Sequence, residues 1–435
     1  MAETDPLAAP LRLPCGVTLS NRLCKAAMTE GMADALMRAS ERHVRIYHAW
    51  SEGGVGLSIT GNVMIDRHVI ERPGNVAIDV THPSSVDAAA RERLRAWAAA
   101  GTVAGNQLWM QVSHAGRQSA RSSTRQPVGP SAVQLDLLGN YARPRALREE
   151  EILDFIGRFA KVALIARESG FTGVQVHGAH GYLISSFLSP VTNRRTDAWG
   201  GSLDNRARLL LEVARAVRRA VGADFPVSVK LNSDDFRKGG FSHEDCLAVV
   251  ARLNGVGIDL LEISGGTYEQ PRLLGATGRD ADAVAVRPST LVREAYFLDY
   301  AAAIRRVATM PLMVTGGFRS RVGMEAALAG GDTDVIGLAR PFCTEPDVAR
   351  RLLAREIGTL PAHERHLMLA PGGWRSPASP LLLMKVINIL GAQGWYYQQM
   401  DRLAVGKPPD LGRGVLRSFV RYWWDDLGRA LRMRR

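Results

Sequence analysis

Eight short β-rich runs alternate with longer stretches of helical periodicity, and this alternation constrains the 435-residue chain more than any other feature. The predicted strands are Leu23–Met28, Val55–Thr60, Leu108–Val112, Gly173–His177, Val227–Leu231, Leu260–Ile263, Leu312–Thr315 and Val335–Leu338. Helix-like stretches lie between them: Glu41–Glu52, Ser84–Ala100, Glu149–Ser169, Asp204–Val221, His243–Leu253, Arg293–Val307 and Arg321–Ala329. Strand–helix alternation predicts a parallel α/β fold, and a count of eight favours a (β/α)8 TIM barrel. A doubly wound nucleotide fold is the competitor, but no GxGxxG follows the first strand.

Residues 1–360 are therefore read as the barrel and 361–435, where the alternation breaks, as a C-terminal helical extension. Leu381–Leu390 and Trp395–Ala404 are predicted as two helices separated by Gly391 and Gly394. The tail Val415–Arg435 carries Leu416, Phe419, Val420, Trp423, Leu427 and Leu431 near helical spacing, with arginines over much of the remainder. Its apolar side, with Trp424, is expected to dock on the barrel or a second subunit, with association at a membrane surface as the alternative.

Composition excludes several classes. Hydrophobic residues make up 46% and charged residues 23%, ordinary values for a soluble globular enzyme. The formal charge of +12 could suggest nucleic acid, yet no nucleic-acid-binding signature accompanies it, and attraction of anionic cofactors suffices as an explanation. Cys15, Cys24, Cys246 and Cys343 are few and widely spaced, which suits a reducing cytoplasm and gives no disulfide framework. The N-terminus lacks a basic start followed by an apolar core, so no secretory signal is expected. The apolar run Pro380–Leu390 is too short to span a bilayer.

The chemistry concentrates in Val174–Arg206, VQVHGAHGYLISSFLSPVTNRRTDAWGGSLDNR. His177, His180 and Tyr182 follow a short strand, with Gly178 and Gly181 allowing a sharp turn. Two neutral imidazoles can donate to one acceptor oxygen and a phenol can deliver a proton nearby, which suits gripping a carbonyl or nitro oxygen while an adjacent carbon is protonated. The spacing of His177 and His180 would also admit a metal pair, but no third ligand stands near, and no metal is expected. Thr29, Gln111, His177, Lys230 and Gly316 all fall at predicted C-terminal strand ends, the active-site face of a barrel.

HGAHGY followed by FLSPVTNRRTDAWGGSLDNR resembles the central signature of the old yellow enzyme family, the FMN-dependent NAD(P)H:flavin oxidoreductases and ene-reductases. SNRLCKAAMTE, VGLSITGNV, WMQVSHAGRQ, VSVKLNSDDF, VTGGFRS and VIGLARPF occur in family order, so the resemblance covers roughly residues 7–350. It implies FMN as cofactor and NADH or NADPH as hydride donor. Lacking a cysteine cluster after the barrel, the chain resembles the form without an iron–sulfur centre.

For FMN, Gly316 and Gly317 with Ala339 and Arg340 suit the phosphate, because glycines permit close backbone approach and Arg340 supplies charge. The resemblance gives Gln111 the pyrimidine edge, Ala27, Met28 and Thr29 the first-strand contact, and Asn62 a further one. Lys230 stands where many relatives have arginine, keeping the charge but losing the planar fork. For the substrate, the resemblance gives His177 and His180 the oxygen and Tyr182 the proton.

The sequence thus points to an oxidoreductase that takes hydride from NAD(P)H and reduces activated C=C bonds of α,β-unsaturated carbonyl or nitro compounds. The rivals are an FMN-dependent dehydrogenase or demethylase of the same fold, and a non-catalytic barrel acting as a binding protein. The expected partners are an electrophilic alkene and a nicotinamide cofactor, with no nucleic acid and no transmembrane segment. A homo-oligomer is left open.

Overall fold

The computed structural model describes residues 5–137, 139–266 and 297–433. Eight parallel strands, β1 (Leu23–Lys25), β2 (Leu57–Ile59), β3 (Gln107–Ser113), β4 (Gly173–Gly178), β5 (Val227–Asn232), β6 (Leu260–Ser264), β7 (Leu312–Thr315) and β8 (Val335–Leu338), pair in chain order. β8 pairs with β1, for example Gly337 beside Cys24, and closes the barrel. All eight predicted strands are present, and the last two have the predicted bounds.

Side chains alternate across each strand. Val174, Val176, Val227 and Val229 face outward into the main apolar cluster beneath the helices. Cys24, Leu57, Ile59, Trp109, Leu260, Met313 and Val335 fill the lower barrel interior, closed below by Leu13 and Leu19 at the N-terminal hairpin. One step higher the interior positions are polar: Gln111, Gln175, His177, Ser228, Lys230 and Glu262, all buried. The period of two that buries the valines thereby delivers a polar layer at the C-terminal half of the barrel.

The surrounding helices are α1 (Glu41–Glu52), α2 (Ala88–Ala100), α3 (Glu149–Glu168), α4 (Leu203–Val221), α5 (His243–Leu253), α6 (Leu298–Arg305) and α7 (Arg321–Ala329). The predicted Ser84–Ala100 helix is split into Pro83–Val86 and α2, because the Asp87 side chain accepts from Ala90 N–H and starts a new N-terminus. Of the predicted Arg293–Val307, residues 293–296 lie outside the described residues.

Beyond the barrel, the two predicted helices around Gly391 and Gly394 are one continuous helix, α8 (Leu382–Leu403), followed by α9 (Val415–Arg432). The glycines are not breaks but a seat for α9. A Cβ on Gly391 would come within 2.5 Å of Val415 Cγ1, and one on Gly394 within 2.7 Å of Tyr422 Cβ. Helical glycine costs roughly 1 kcal/mol relative to alanine, and the close approach of α9 offsets it here. α9 packs through Val415, Ser418 and Tyr422, while Leu416, Val420, Trp423, Trp424, Leu427 and Leu431 stay exposed. Docking of the tail is thus realised by a different face from the one its apolar side chains predicted.

Candidate active site

β4 ends in Gly178, and the following turn places His180 at φ +63°, a backbone conformation rare outside glycine. Asn232 at the end of β5 holds it there by accepting from the His180 N–H at 3.0 Å. Gln118 Nε2 donates to the His180 carbonyl at 2.6 Å. Tyr182 then begins a short helix, Leu183–Leu188, and its buried ring lies 4.7 Å from that of His177. The three predicted catalytic side chains therefore converge at the mouth of the barrel.

A continuous hydrogen-bonded chain sets their protonation. Glu71 Oε2 accepts from Thr29 Oγ1 at 2.8 Å and from Asn62 Nδ2 at 2.7 Å. With its amide nitrogen committed, Asn62 presents Oδ1 to His177 Nδ1 at 2.8 Å, so that nitrogen carries the proton. His177 Nε2 is then an acceptor for His180 Nδ1–H at 3.3 Å, and His180 Nε2 meets Ser264 Oγ at 2.7 Å. Burial, then the neighbouring Lys230 charge, holds the His180 ring down at about 3. Burial, then His180 and Lys230, holds His177 well below the ordinary imidazole range. Both are neutral donors and acceptors at physiological pH.

The same desolvation keeps His43, fully buried in α1, at about 3. Between roughly pH 6.5 and 3 the unfolded chain binds protons that these three rings refuse, so stability falls as pH drops through that window. The slope is up to about 1.4 kcal/mol per pH unit for each ring. Urea midpoints should accordingly fall between about pH 7 and pH 5, less steeply in His43→Gln. A flat midpoint in the parent protein would show that the rings are not held neutral.

A second network runs beside it in the barrel interior. Gln111 Nε2 donates to Gln175 Oε1 at 2.6 Å, and Gln175 Nε2 donates to Glu262 Oε2 at 2.8 Å. Lys230 Nζ stands 2.9 Å from Glu262 Oε1, with both side chains almost wholly buried. The Lys230 charge expected from the sequence is present but paired.

Ala27, Met28 and Thr29 lie beyond the end of β1 at Lys25, half-buried and outside any strand. They are anchored by Glu30, which accepts from Gly61 N–H at 3.1 Å and from the Tyr47 hydroxyl. Lys25 is buried beside them over the Tyr47 and Trp50 rings, and burial, partly offset by Glu30, lowers it to about 8.

Next to β1 in the barrel, adjacent β7 and β8 bring Gly316 and Gly317 close to Ala339 and Arg340. Gly316 and Gly317 have φ of +103° and +90°, and open space surrounds Gly316. Arg340 and Arg319 both reach Glu364, at 3.3 and 2.5 Å, and Tyr396 of α8 donates to it at 2.7 Å. Burial opposes the Glu364 charge, yet the Arg319 bond and the Arg340 charge bring its carboxyl down to about 2. Thr315 Oγ1, directly before the glycines, is buried without a hydrogen-bond partner. Two left-handed glycines, two arginines and an orphaned hydroxyl fit a phosphate. A buried ammonium and the Gln111 amide fit the polar edge of a flavin ring.

Sequence reasoning missed Glu71, Glu262, Asn232 and Ser264. Glu262 had a signal, since a carboxylate at the centre of the strand LLEIS is out of place unless it faces a partner. Glu71 lies in a loop after the short strand Val63–Met64 and had none.

A closed parallel barrel with this mouth defines a flavin-site architecture. The chain belongs to the NADH:flavin oxidoreductase / NADH oxidase family, the old yellow enzymes, whose model matches residues 6–356. It is 40% identical over 354 residues to the NADH-dependent flavin oxidoreductase iliE of Neonectria sp., covering 78% of this chain and 45% of that protein. The chain thus spans about half the length of that relative. It is 34% identical over 415 residues to the NADH-dependent flavin oxidoreductase iccE of Talaromyces variabilis, covering 92% and 98%. Among solved structures, the old yellow enzyme homologue from Zymomonas mobilis superposes with a TM-score of 0.66 at 27% identity, covering 86% of this chain and 99% of that one.

Proposed function

We propose that the chain is an FMN-dependent oxidoreductase that draws hydride from NADH or NADPH and reduces activated C=C bonds of α,β-unsaturated carbonyl or nitro compounds. The observation that carries the reading is the convergence of neutral His177, neutral His180 and Tyr182 beside a buried ammonium. Bound FMN supplies the hydride store between the two half-reactions. Residues 1–360 are the FMN-binding unit in this reading, and 361–435 a helical extension reaching its rim through Tyr396. The four free cysteines support a reducing, cytoplasmic setting. No described helix is long and apolar enough to cross a membrane.

The residues divide the work. Gly316, Gly317, Ala339 and Arg340 receive the phosphate, and Gln111 and Lys230 meet the pyrimidine edge. Ala27, Met28, Thr29 and Asn62 line the remaining side. The substrate oxygen takes the His180 Nδ1–H now given to His177. His177 supplies a second donor when its proton sits on Nε2, a tautomer that Ser113 Oγ, 3.4 Å from Nδ1, can support. Negative charge developing on that oxygen is stabilised by these donors, and Tyr182 delivers a proton to the neighbouring carbon.

Phenolates mimic that oxygen, so titration with p-hydroxybenzaldehyde, followed by its long-wavelength band, tests the assignment. In His177→Ala/His180→Ala the affinity should fall at least about tenfold, as expected when two charge-assisted hydrogen bonds are lost. An unaltered band and affinity would remove both histidines from this role. Glu71→Gln should act oppositely, tightening phenolate binding about threefold to tenfold. It removes a nearby negative charge and frees Asn62 to release the His177 Nδ1 proton. Weaker binding in that variant would refute the tautomer chain.

A further inference from the structure

α9 is held to the protein by one face and carries a second apolar face that nothing covers. Leu416, Val420, Trp423, Trp424, Leu427 and Leu431 are 47–78% exposed. At 3.6 residues per turn they fall within about 100° of arc, a continuous stripe. The packed face, Val415, Ser418 and Tyr422, lies on the far side of the helix, so the stripe cannot turn inward without unseating α9 from Gly391 and Gly394.

One edge of the stripe is basic. Exposed Arg417, Arg421 and Arg432 follow it along the helix. Beyond them opens a cleft of about 940 Å³ between α9 and the segment from Gly31 to Arg42. Seven Lys and Arg side chains line it against the four carboxylates of Asp34, Glu41, Asp401 and Asp425. Arg402, Lys407 and Arg432 enter no ion pair among the described residues. Arg421 pairs with Asp425 at 2.9 Å, whereas Arg417 and Arg432 on the same edge enter no ion pair among the described residues. An outward apolar stripe with two tryptophans and a net basic border matches the chemistry of a helix lying in a bilayer interface.

We infer that α9 is a peripheral docking element that seats the protein on an anionic lipid surface. The stripe enters the headgroup–acyl boundary, and the arginine edge and basic cleft face the lipid anions. Charge argues against a second copy as the occupant. Each chain carries a formal +12, and stripe-to-stripe contact would bring the Arg417 and Arg421 edges of two copies together.

Co-sedimentation of the flavin-loaded full chain with vesicles tests this. Phosphatidylcholine mixed with phosphatidylglycerol should bind the protein, with a blue shift of tryptophan emission and weakening by salt, and phosphatidylcholine alone should bind it far less. Trp424→Ser/Leu427→Gln should lower partitioning about tenfold or more at unchanged flavin absorbance and melting temperature, because both side chains are exposed in the folded protein. Arg417→Gln/Arg421→Gln should reduce both the binding and its salt dependence. Binding no stronger to anionic than to neutral vesicles would overturn the proposal. So would binding undiminished in both variants, or a solution dimer that the Trp424→Ser/Leu427→Gln change dissociates.

Discussion

Replacing Tyr182 by phenylalanine is expected to leave flavin content and its reduction by NADH unchanged while slowing reduction of a bound enone about 10²–10⁴-fold, the usual worth of a positioned general acid. The ring is buried against His177, and phenylalanine keeps that packing, so the loss isolates the hydroxyl. Substrates whose product anion needs no proton from the protein should be slowed much less. The check is stopped-flow reoxidation of the NADH-reduced enzyme by 2-cyclohexenone. An unchanged rate would assign the proton to another group.

The second large effect concerns the polar layer inside the barrel. Lys230→Met should destabilise the fold by about 3–5 kcal/mol, the cost of leaving one buried charge without its partner. Glu262 is fully buried, and its other hydrogen-bond partner, the Gln175 amide, cannot neutralise it. Adding Glu262→Gln should restore most of the lost stability in urea denaturation, since the pair then leaves no orphaned charge. FMN retention should remain poor in both variants, because the cation proposed for the ring edge is gone. If Lys230→Met alone unfolds at the parental urea concentration, the two groups are not coupled as the geometry indicates.

Much of this architecture was legible because it follows from periodicity. Val174 and Val176, or Val227 and Val229, announce strands, and the alternate residues Gln175, His177 and Ser228 had to face the barrel interior. The C-terminal strand ends therefore point to the candidate site. What escaped is what depends on tertiary neighbours. Gly391 and Gly394 read as helix breaks, yet in the fold they are contact points, since only the position of Val415 and Tyr422 reveals why a side chain cannot stand there. Likewise Lys230 signalled a charge, but its pairing with Glu262 depends on the register of β5 against β6. Glu71 sits in a loop with no pattern, and only its convergence with Thr29 and Asn62 marks it. The tail's apolar residues were visible, but which face of α9 would be covered was not.

Isotope tracing separates hydride transfer to the alkene from reduction of the flavin alone. The purified enzyme is reduced anaerobically with NADH deuterated at the transferring C4 position, mixed with 2-cyclohexenone, and the product is analysed by mass spectrometry and NMR. Cyclohexanone should bear deuterium at the β-carbon and a solvent-derived proton at the α-carbon. Recovery of unreacted enone, with the reduced flavin discharged only by oxygen, would contradict hydride transfer to the alkene.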